Sequence, residues 1–181
     1  DGYRNKGIEN YMVLRGDLPK NDSTYDLSKS RFKHALDLVK FIRSKQDACL
    51  CVAIYPEGHV ETASLEKDIE YAKLKIDAGA DFAVTQMFFD NSYFYSLMDR
   101  LEKNNLDIPV LPGILPLTDI DKVKEFAEVC NVKIPKDIEE TMSNSKGDPE
   151  EMRRRGIEFT VAQCRDLISR GFRHLHFFTL N

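Results

Sequence analysis

Short, nearly continuous runs of apolar residues alternate along the chain with longer segments in which apolar residues recur every three or four positions. The five runs lie at 11–14, 49–55, 82–89, 108–111 and 175–179. Continuous apolar runs are typical of strands buried on both faces of a parallel sheet. The segments between them have the period of amphipathic helices. The pattern predicts an α/β fold with a parallel sheet and right-handed crossovers.

Several of these helices have a readable beginning, because Ser, Thr and Asp side chains can accept hydrogen bonds from first-turn amides. Capping residues are predicted at Ser28, Ser64, Thr118 and Asp148. The last is the clearest, since Pro149 and Glu151 suit the first turn that follows it. The apolar stripe of that helix is predicted at Ile157, Val161, Cys164, Leu167 and Ile168.

Two architectures fit this order of elements: an open doubly wound sheet and part of a (β/α)8 barrel. Both gather ligands at the carboxyl ends of their strands. Each of the five runs leads into polar or turn residues, at 15–19, 55–59, 86–90, 112–116 and 179–181, and a long polar loop is predicted over 19–30. An open sheet binds its ligand at a single switch point. Five strands that all end in polar or turn residues therefore favour the barrel over the open sheet. A whole barrel takes about 250 residues and eight strands, whereas the chain has 181 residues.

Composition narrows the class of protein. Hydrophobic residues make up 42% of the chain, which is enough for a core, and the net charge of −4 argues against nucleic acid or an anionic membrane as a partner. No apolar stretch reaches the roughly 18 residues of a membrane span. The four cysteines are predicted to be buried, small apolar residues without disulfides, in a reducing compartment that we expect to be the cytoplasm.

Sequence motifs for phosphate-binding glycine loops and for nucleophilic serine or cysteine are absent. His174 and His176 are the best metal candidates, because residues two apart on a strand share a face. They open the last run, however, away from the expected ligand end, and no third ligand can be placed. We therefore expect structural histidines and no metal, with a metal-dependent hydrolase as an alternative.

Asp17 follows the first run within the tripeptide Arg15-Gly-Asp17. Gly16 allows a sharp turn and the close approach of a ligand, so Asp17 can project into a site at the strand end. The alternatives are a carboxylate satisfied by amides of its own loop and a cell-adhesion signal, which does not suit an enzyme-like cytoplasmic chain.

Tyr55 and His59 flank a turn at the end of the second run. A tyrosine ring can cover a flat ligand and an imidazole can bond to a ligand oxygen, but a packed Tyr and a solvated His remain open. Asp68 and Lys75, seven residues apart, lie on one side of the next helix, which could equally be a solvated face.

Gln86 is a polar residue inside an apolar run, which costs energy unless it is hydrogen-bonded and favours a ligand contact. Phe126 falls within the apolar stripe of Val123, Ala127 and Cys130. Periodicity alone therefore predicts that Phe126 is a core residue.

Six segments of the chain, in order, resemble the methylenetetrahydrofolate reductase family of flavin-dependent folate enzymes. They lie at 8–19, 35–39, 52–59, 75–90, 112–116 and 175–181 and include Leu-Arg-Gly-Asp-Leu-Pro, Ile-Tyr-Pro-Glu-Gly-His, Thr-Gln-Met-Phe-Phe-Asp and His-Phe-Phe-Thr-Leu-Asn. The resemblance implies the family's (β/α)8 TIM barrel, with FAD at the carboxyl ends of its strands.

The resemblance also implies residue roles. The implied FAD contacts are Arg15, Gly16, Asp17, His34, Ala35, Tyr55, His59, Asp68 and Lys75. Asp17 and Gln86 would hold the folate pterin, and Phe126 would stack on folate or nicotinamide. NADH or NADPH would reduce FAD and leave, and 5,10-methylenetetrahydrofolate would then take hydride and become 5-methyltetrahydrofolate. Asp17 would be catalytic, since a carboxylate stabilises the cationic iminium of the opening methylene bridge.

The chain departs from the family at His34, where Tyr is common, and at Tyr71, Leu74 and Lys122, where other polar or basic residues are common. The adenine and phosphate contacts and the choice of reductant therefore stay open. The general-acid Glu of the family's first strand and the Arg after Thr-Leu-Asn have no counterpart.

From these gaps we expect residues 1–181 to be a partial TIM-barrel catalytic domain that holds strands four to eight. It would lack the first three βα units and the last helix, and would be inactive alone. The expected partners are a folate substrate, a nicotinamide nucleotide and further copies of the chain in a homo-oligomer of one-carbon and methionine metabolism. A catalytically dead fragment or interaction remnant is the other alternative.

Overall fold

Five parallel strands form the framework of the part of the chain that the structure describes. The computed structural model describes residues 2–17 and 26–179. The strands are β1 (Asn10–Val13), β2 (Cys49–Ile54), β3 (Phe82–Met87), β4 (Val110–Ile114) and β5 (His176–Phe177). Their order in the sheet follows their order in the chain, and every neighbouring pair is parallel. This order lacks the reversal of a doubly wound sheet and makes a half-barrel consistent with part of a TIM barrel.

Helices connect the strands. They are α1 (Ala35–Arg43), α2 (Leu65–Asp77), α3 (Asn91–Lys103), α4 (Ile120–Val129), α5 (Lys136–Ser143) and α6 (Pro149–Ser169), with short 3-10 turns at Arg4–Lys6 and Leu27–Lys29. The last three helices all lie between β4 and β5. Among the described residues no helix has the length and apolar character that a membrane crossing needs.

Two of the four predicted helix caps are confirmed and two are wrong. The Ser64 hydroxyl accepts from the amide of Lys67, and Asp148 accepts from two first-turn amides. Helix α1 begins after His34 instead of Ser28, because the Asp37 carboxylate binds the amide of His34 at 3.0 Å and fixes the turn there. Helix α4 is capped by Asp119, one residue after the predicted Thr118.

The main core lies between the outer face of the half-barrel and helices α1 to α3. Alternate strand residues such as Val13, Val52 and Ile54 point into it and are almost fully buried. The other alternate residues, among them Met12 and Ala53, line the inner face. The strands are therefore apolar on both faces, as the continuous runs predict, although Met12 is exposed on the inner side.

Helix α6 buries only part of the apolar stripe that the sequence predicts, since Leu167 is buried and Cys164 is half-buried. Ile157, Val161 and Ile168 are exposed. The buried positions are Gly156, Thr160, Gln163 and Leu167. The cause is a close crossing: a Cβ on Gly156 would lie 1.6 Å from the carbonyl oxygen of Leu117. Only a helix turned to present glycine fits against that loop, so small and polar residues face inward.

The remaining differences are local. The last strand is two residues long instead of five. Cys51 is buried, Cys49, Cys130 and Cys164 are half-buried, and all four are free. In the predicted loop over 19–30, residues 19–25 lie outside the described residues, as do Leu18 before it and positions 180 and 181 of the last strand-end segment.

Candidate functional site

The carboxyl ends of β1 and β2, with helices α1 and α2, enclose a cavity of about 280 Å³. Seven of the nine residues predicted to contact a flavin line it: Arg15, His34, Ala35, Tyr55, His59, Asp68 and Lys75. They come from helices α1 and α2 and from the loops that follow β1 and β2. The fold therefore gathers into one cavity side chains that are up to 60 positions apart in sequence.

Lys75 is the most deeply buried cation of this cavity. Its Nζ donates to the carbonyl oxygen of Ala53 and lies 5.8 Å from the centre of the Tyr55 ring. Burial lowers the pKa of Lys75 to about 8, against the opposing effect of the nearby Asp68 carboxylate. The ammonium group is thus charged at neutral pH but close to losing its proton.

The loop of residues 55–59 forms one wall of the cavity. Gly58 has a φ of +96°, which an L side chain rarely adopts, so the turn depends on glycine. The turn brings the rings of Tyr55 and His59 edge to face, with centroids 4.6 Å apart. Asp68 accepts from the amide of His59 at 2.8 Å and fixes the end of the turn.

Arg15 forms a bidentate ion pair across the mouth of the cavity with Glu61, a residue that the sequence did not single out. The two nitrogen–oxygen distances are 2.7 and 2.9 Å. Hydrogen bonding to Glu61 raises the pKa of Arg15, and the same pair lowers the pKa of Glu61. The guanidinium is thus held at the strand end, where it can exchange one anionic partner for another.

A second cleft, of about 570 Å³, lies on the inner face of the half-barrel. It shares Arg15, Tyr55 and His59 with the first cavity, so the two are continuous. Gly16 and Asp17 from the end of β1 and Gln86 from β3 line it. The Gln86 side-chain oxygen accepts a hydrogen bond from the amide of Met87 at 2.9 Å. This bond offsets part of the desolvation energy of a polar side chain in this strand.

Phe126 is neither in the core nor at either cleft. Helix α4 buries Ile120, Val123 and Ala127, and Phe126 on its other side is 41% exposed. The periodicity-based prediction of a core residue is therefore wrong, because a 3.6-residue period places position 126 just outside the buried stripe. The stacking role that the family resemblance implies for Phe126 stays a prediction.

The two candidate metal ligands do not form a metal site. His174 is exposed and lies before β5, whereas His176 packs edge to face on Phe178 at 4.7 Å between ring centroids. Within residues 2–17 and 26–179, no three His, Cys, Asp or Glu side chains come together as metal ligands would. The geometry gives the hydrolase alternative no support.

Glu57 is a second polar residue that the sequence reading missed. Its two carboxylate oxygens accept from the amide of Lys133, at 3.2 and 3.1 Å, and so connect the 55–59 loop to the segment after α4. Burial raises the pKa of Glu57 to about 7, with a smaller contribution in the same direction from Asp90. Its place in the Tyr-Pro-Glu-Gly-His motif was the only signal for it.

Comparison with known proteins decides the family. The model of the family described as methylenetetrahydrofolate reductase matches residues 1–181. The chain belongs to the methylenetetrahydrofolate reductase family. It is 40% identical over 177 residues to methylenetetrahydrofolate reductase 1 of Schizosaccharomyces pombe, covering 97% of this chain and 29% of the relative. It is 34% identical over 179 residues to the 5,10-methylenetetrahydrofolate reductase of Escherichia coli, covering 99% and 58%.

A plant methylenetetrahydrofolate reductase and a solved structure are also similar to this chain. The chain is 33% identical to methylenetetrahydrofolate reductase (NADH) 1 of Arabidopsis thaliana, covering 98% of this chain and 32% of that one. The chain is also similar in structure to an uncharacterized protein from Clostridium thermocellum that binds two copies of 5-methyl-5,6,7,8-tetrahydrofolic acid. The TM-score is 0.52 and the sequence identity is 17%, and the match covers 78% of this chain and 50% of that chain. This likeness concerns the fold alone.

Proposed function

We propose that the full-length protein reduces 5,10-methylenetetrahydrofolate to 5-methyltetrahydrofolate, with FAD as the hydride carrier and NADH or NADPH as the reductant. The observation that carries the proposal is the single cavity lined by seven of the nine residues matched to flavin contacts. The chain spans about 58% of the length of the Escherichia coli relative and 29% of the Schizosaccharomyces pombe one.

The residues of the cavity fit a flavin dinucleotide. Its walls are largely apolar, with Leu36, Leu65 and Ala72 among them, and suit a flat aromatic ring system. Two cations, Arg15 and Lys75, lie at the same cavity and suit a diphosphate. Bound there, FAD would supply reversible hydride transfer.

Asp17 is proposed as the catalytic carboxylate of the folate half-reaction. It is exposed at the inner-face cleft that also holds Gln86. When the methylene bridge of the substrate opens, the iminium nitrogen becomes cationic, and a carboxylate beside it lowers the energy of that charge. Gln86 offers an amide that can both donate to and accept from a pterin edge.

Phe126 is proposed to stack on the folate or the nicotinamide, which would occupy one place in turn. An aromatic ring suits such an exchange, because it offers a broad contact area with few rotatable bonds to order. The exposed position of Phe126 on α4 leaves part of its side chain accessible.

The chain itself is proposed to be strands four to eight of a TIM-barrel catalytic domain, without the first three βα units and the last helix. In this proposal the general acid lies outside residues 1–181, so the chain alone is inactive. The proposed setting is a cytoplasmic homo-oligomer of one-carbon and methionine metabolism. A catalytically dead fragment is the competing reading.

The spectrum of the full-length protein tests the proposal. We expect a purified yellow protein whose flavin absorbance is bleached by NADH or NADPH and restored by methylenetetrahydrofolate, with 5-methyltetrahydrofolate as the product. A protein that neither contains flavin nor gains thermal stability from added FAD would refute it. Flavin binding without folate turnover would favour the catalytically dead alternative.

A further inference from the structure

Arg100 lies on α3, a helix that supplies none of the residues matched to flavin or folate contacts. Its side chain nevertheless lines the cavity proposed to bind the flavin, together with Leu97 of the same helix. The Arg100 Nη2 donates to the carbonyl oxygen of Pro56 at 3.1 Å, and Pro56 is buried. Helix α3 is therefore fastened to the main chain of the 55–59 loop.

The burial of the Arg100 side chain is energetically unfavourable for the folded protein. Its Nε is shielded from solvent and has no hydrogen-bond partner among the described residues. Burial lowers the pKa of Arg100, although the carboxylates of Glu66 and Asp68 act in the opposite direction. An apolar side chain of similar length would fill the space without an unpaired donor. A costly charged group beside a cavity is typical of a residue kept for function.

The contact of Arg100 complements two others that hold the same loop. Asp68, on α2, accepts from the amide of His59, and Glu57 accepts from the amide of Lys133 beyond α4. The loop is thus held at Pro56, at Glu57 and at His59 by three different parts of the fold. Arg100 is the contact next to Tyr55.

We propose that Arg100 is a positioning residue that fixes the 55–59 loop, and through it the rings of Tyr55 and His59, in the geometry that binds the flavin. This inference rests on the proposed function. Tyr55 adjoins the carbonyl that Arg100 holds, and its ring packs on His59. Release of that carbonyl therefore loosens the Tyr55 end of the loop and, through the ring contact, the geometry of the Tyr55–His59 pair. In this proposal Arg100 acts through the loop.

Flavin titration of the full-length apoprotein tests the inference with matched variants. Arg100→Met keeps the length of the side chain and removes the donors, and we expect its dissociation constant for FAD to rise about tenfold, equivalent to about 1.4 kcal/mol. Arg100→Lys retains one donor and should recover part of the loss. Arg153→Met makes the same change at an exposed position of α6 and should bind FAD as the parent does.

Stability of the flavin-free protein separates positioning from a merely structural role. Arg100→Met removes a buried unpaired donor, so its melting temperature without FAD should stay within a few degrees of the parent's. The inference is overturned if the FAD affinity is unchanged. It is also overturned if affinity and flavin-free stability fall together and Arg100→Lys rescues neither.

Hydrogen exchange gives a readout that needs no flavin. In flavin-free Arg100→Met, the peptide covering 55–59 should exchange about tenfold faster, while the peptides of α3 keep their protection. Unchanged exchange in that loop would overturn the inference. A parent protein that binds no FAD would instead refute the proposed function, and the exchange result would still decide whether Arg100 anchors the loop.

Discussion

The carboxylate of Asp68 accepts a hydrogen bond from the backbone amide of His59, with 2.8 Å between oxygen and nitrogen. The same carboxylate opposes the loss of the proton from Lys75, whose pKa burial lowers to about 8. One side chain of α2 thus positions a cavity wall and keeps the buried cation of the cavity charged.

The affinity for FAD should fall as the pH rises through about 8, because Lys75 loses its charge there and no longer attracts a phosphate. Asp68→Asn should move this fall to lower pH, since it removes the carboxylate that favours the charged lysine. Titration of FAD into the full-length apoprotein between pH 6.5 and pH 9.5, in steps of about half a pH unit, measures both effects.

Lys75→Arg provides the control, because arginine stays protonated throughout this range. Its FAD affinity should show little of the pH dependence near 8, whatever its absolute value. A parent-like pH profile in Lys75→Arg would mean that another group titrates, and the role given to Lys75 would then be wrong.

Glu57→Gln should make the protein more stable at pH 8 than the parent. The folded-state pKa of Glu57 is about 7 and its ordinary value is 4.5, so the folded protein holds this proton more tightly than the unfolded chain does. Parent stability should therefore fall as the pH rises from about 4.5 to about 7. A glutamine oxygen can still accept from the Lys133 amide without a buried charge.

Chemical denaturation of Glu57→Gln at pH 5 and pH 8 measures this effect. The exposed Glu140→Gln on α5 is the control for a change of net charge alone. The expected result is a stability gain at pH 8 that shrinks at pH 5 for Glu57→Gln and no such trend for Glu140→Gln. Equal behaviour of the two variants would contradict the desolvated state of Glu57.

Asp17→Asn in the full-length enzyme should slow folate reduction much more than flavin reduction by the nicotinamide. The iminium cation forms only in the folate half-reaction, so only that half-reaction loses the stabilising carboxylate. A loss of 10²–10³-fold in the folate step is the usual scale for one electrostatic group, roughly. Stopped-flow measurement of the two half-reactions checks it, and equal slowing of both would remove the proposed role.

Gly156→Ala should destabilise the protein strongly. A Cβ at this position would lie 1.6 Å from the carbonyl oxygen of Leu117, so α6 would have to move away from the loop after β4. Overpacking of this kind costs about 1–3 kcal/mol and sometimes more. Gly147→Ala is the matched control, because nothing lies within 4 Å of the added atom there. Thermal unfolding of both variants measures the difference.

The sequence predicted the architecture and many of the residues that line the cavity. The continuous apolar runs predicted buried parallel strands, and the structure has all five in chain order. Ser64 and Asp148 were predictable as caps, because a cap depends on residues within one turn. Glu61 and Arg100 were not found, since their partners Arg15 and Pro56 lie 46 and 44 positions away.

Local periodicity failed on two helices for a tertiary reason. On α6 three of the five predicted stripe residues, Ile157, Val161 and Ile168, are exposed, because the close crossing at Gly156 sets the rotation of the helix. On α4 the ring of Phe126 lies just outside the buried stripe. A pattern reports which side of a helix can be buried, whereas the neighbouring backbone decides which side is.

The sequence by itself determined the class of fold, the order of strands and helices along the chain and the set of polar residues that follow the strands, because each of these depends on short-range pattern and on family motifs. Only the tertiary structure decided how those residues meet. In the folded chain Lys75 donates to the carbonyl of Ala53, where burial lowers the pKa of Lys75. Arg100 of α3 donates to the carbonyl of Pro56. Desolvation and contacts between distant elements arise only when the chain is packed, and they set the charge and the geometry of the cavity.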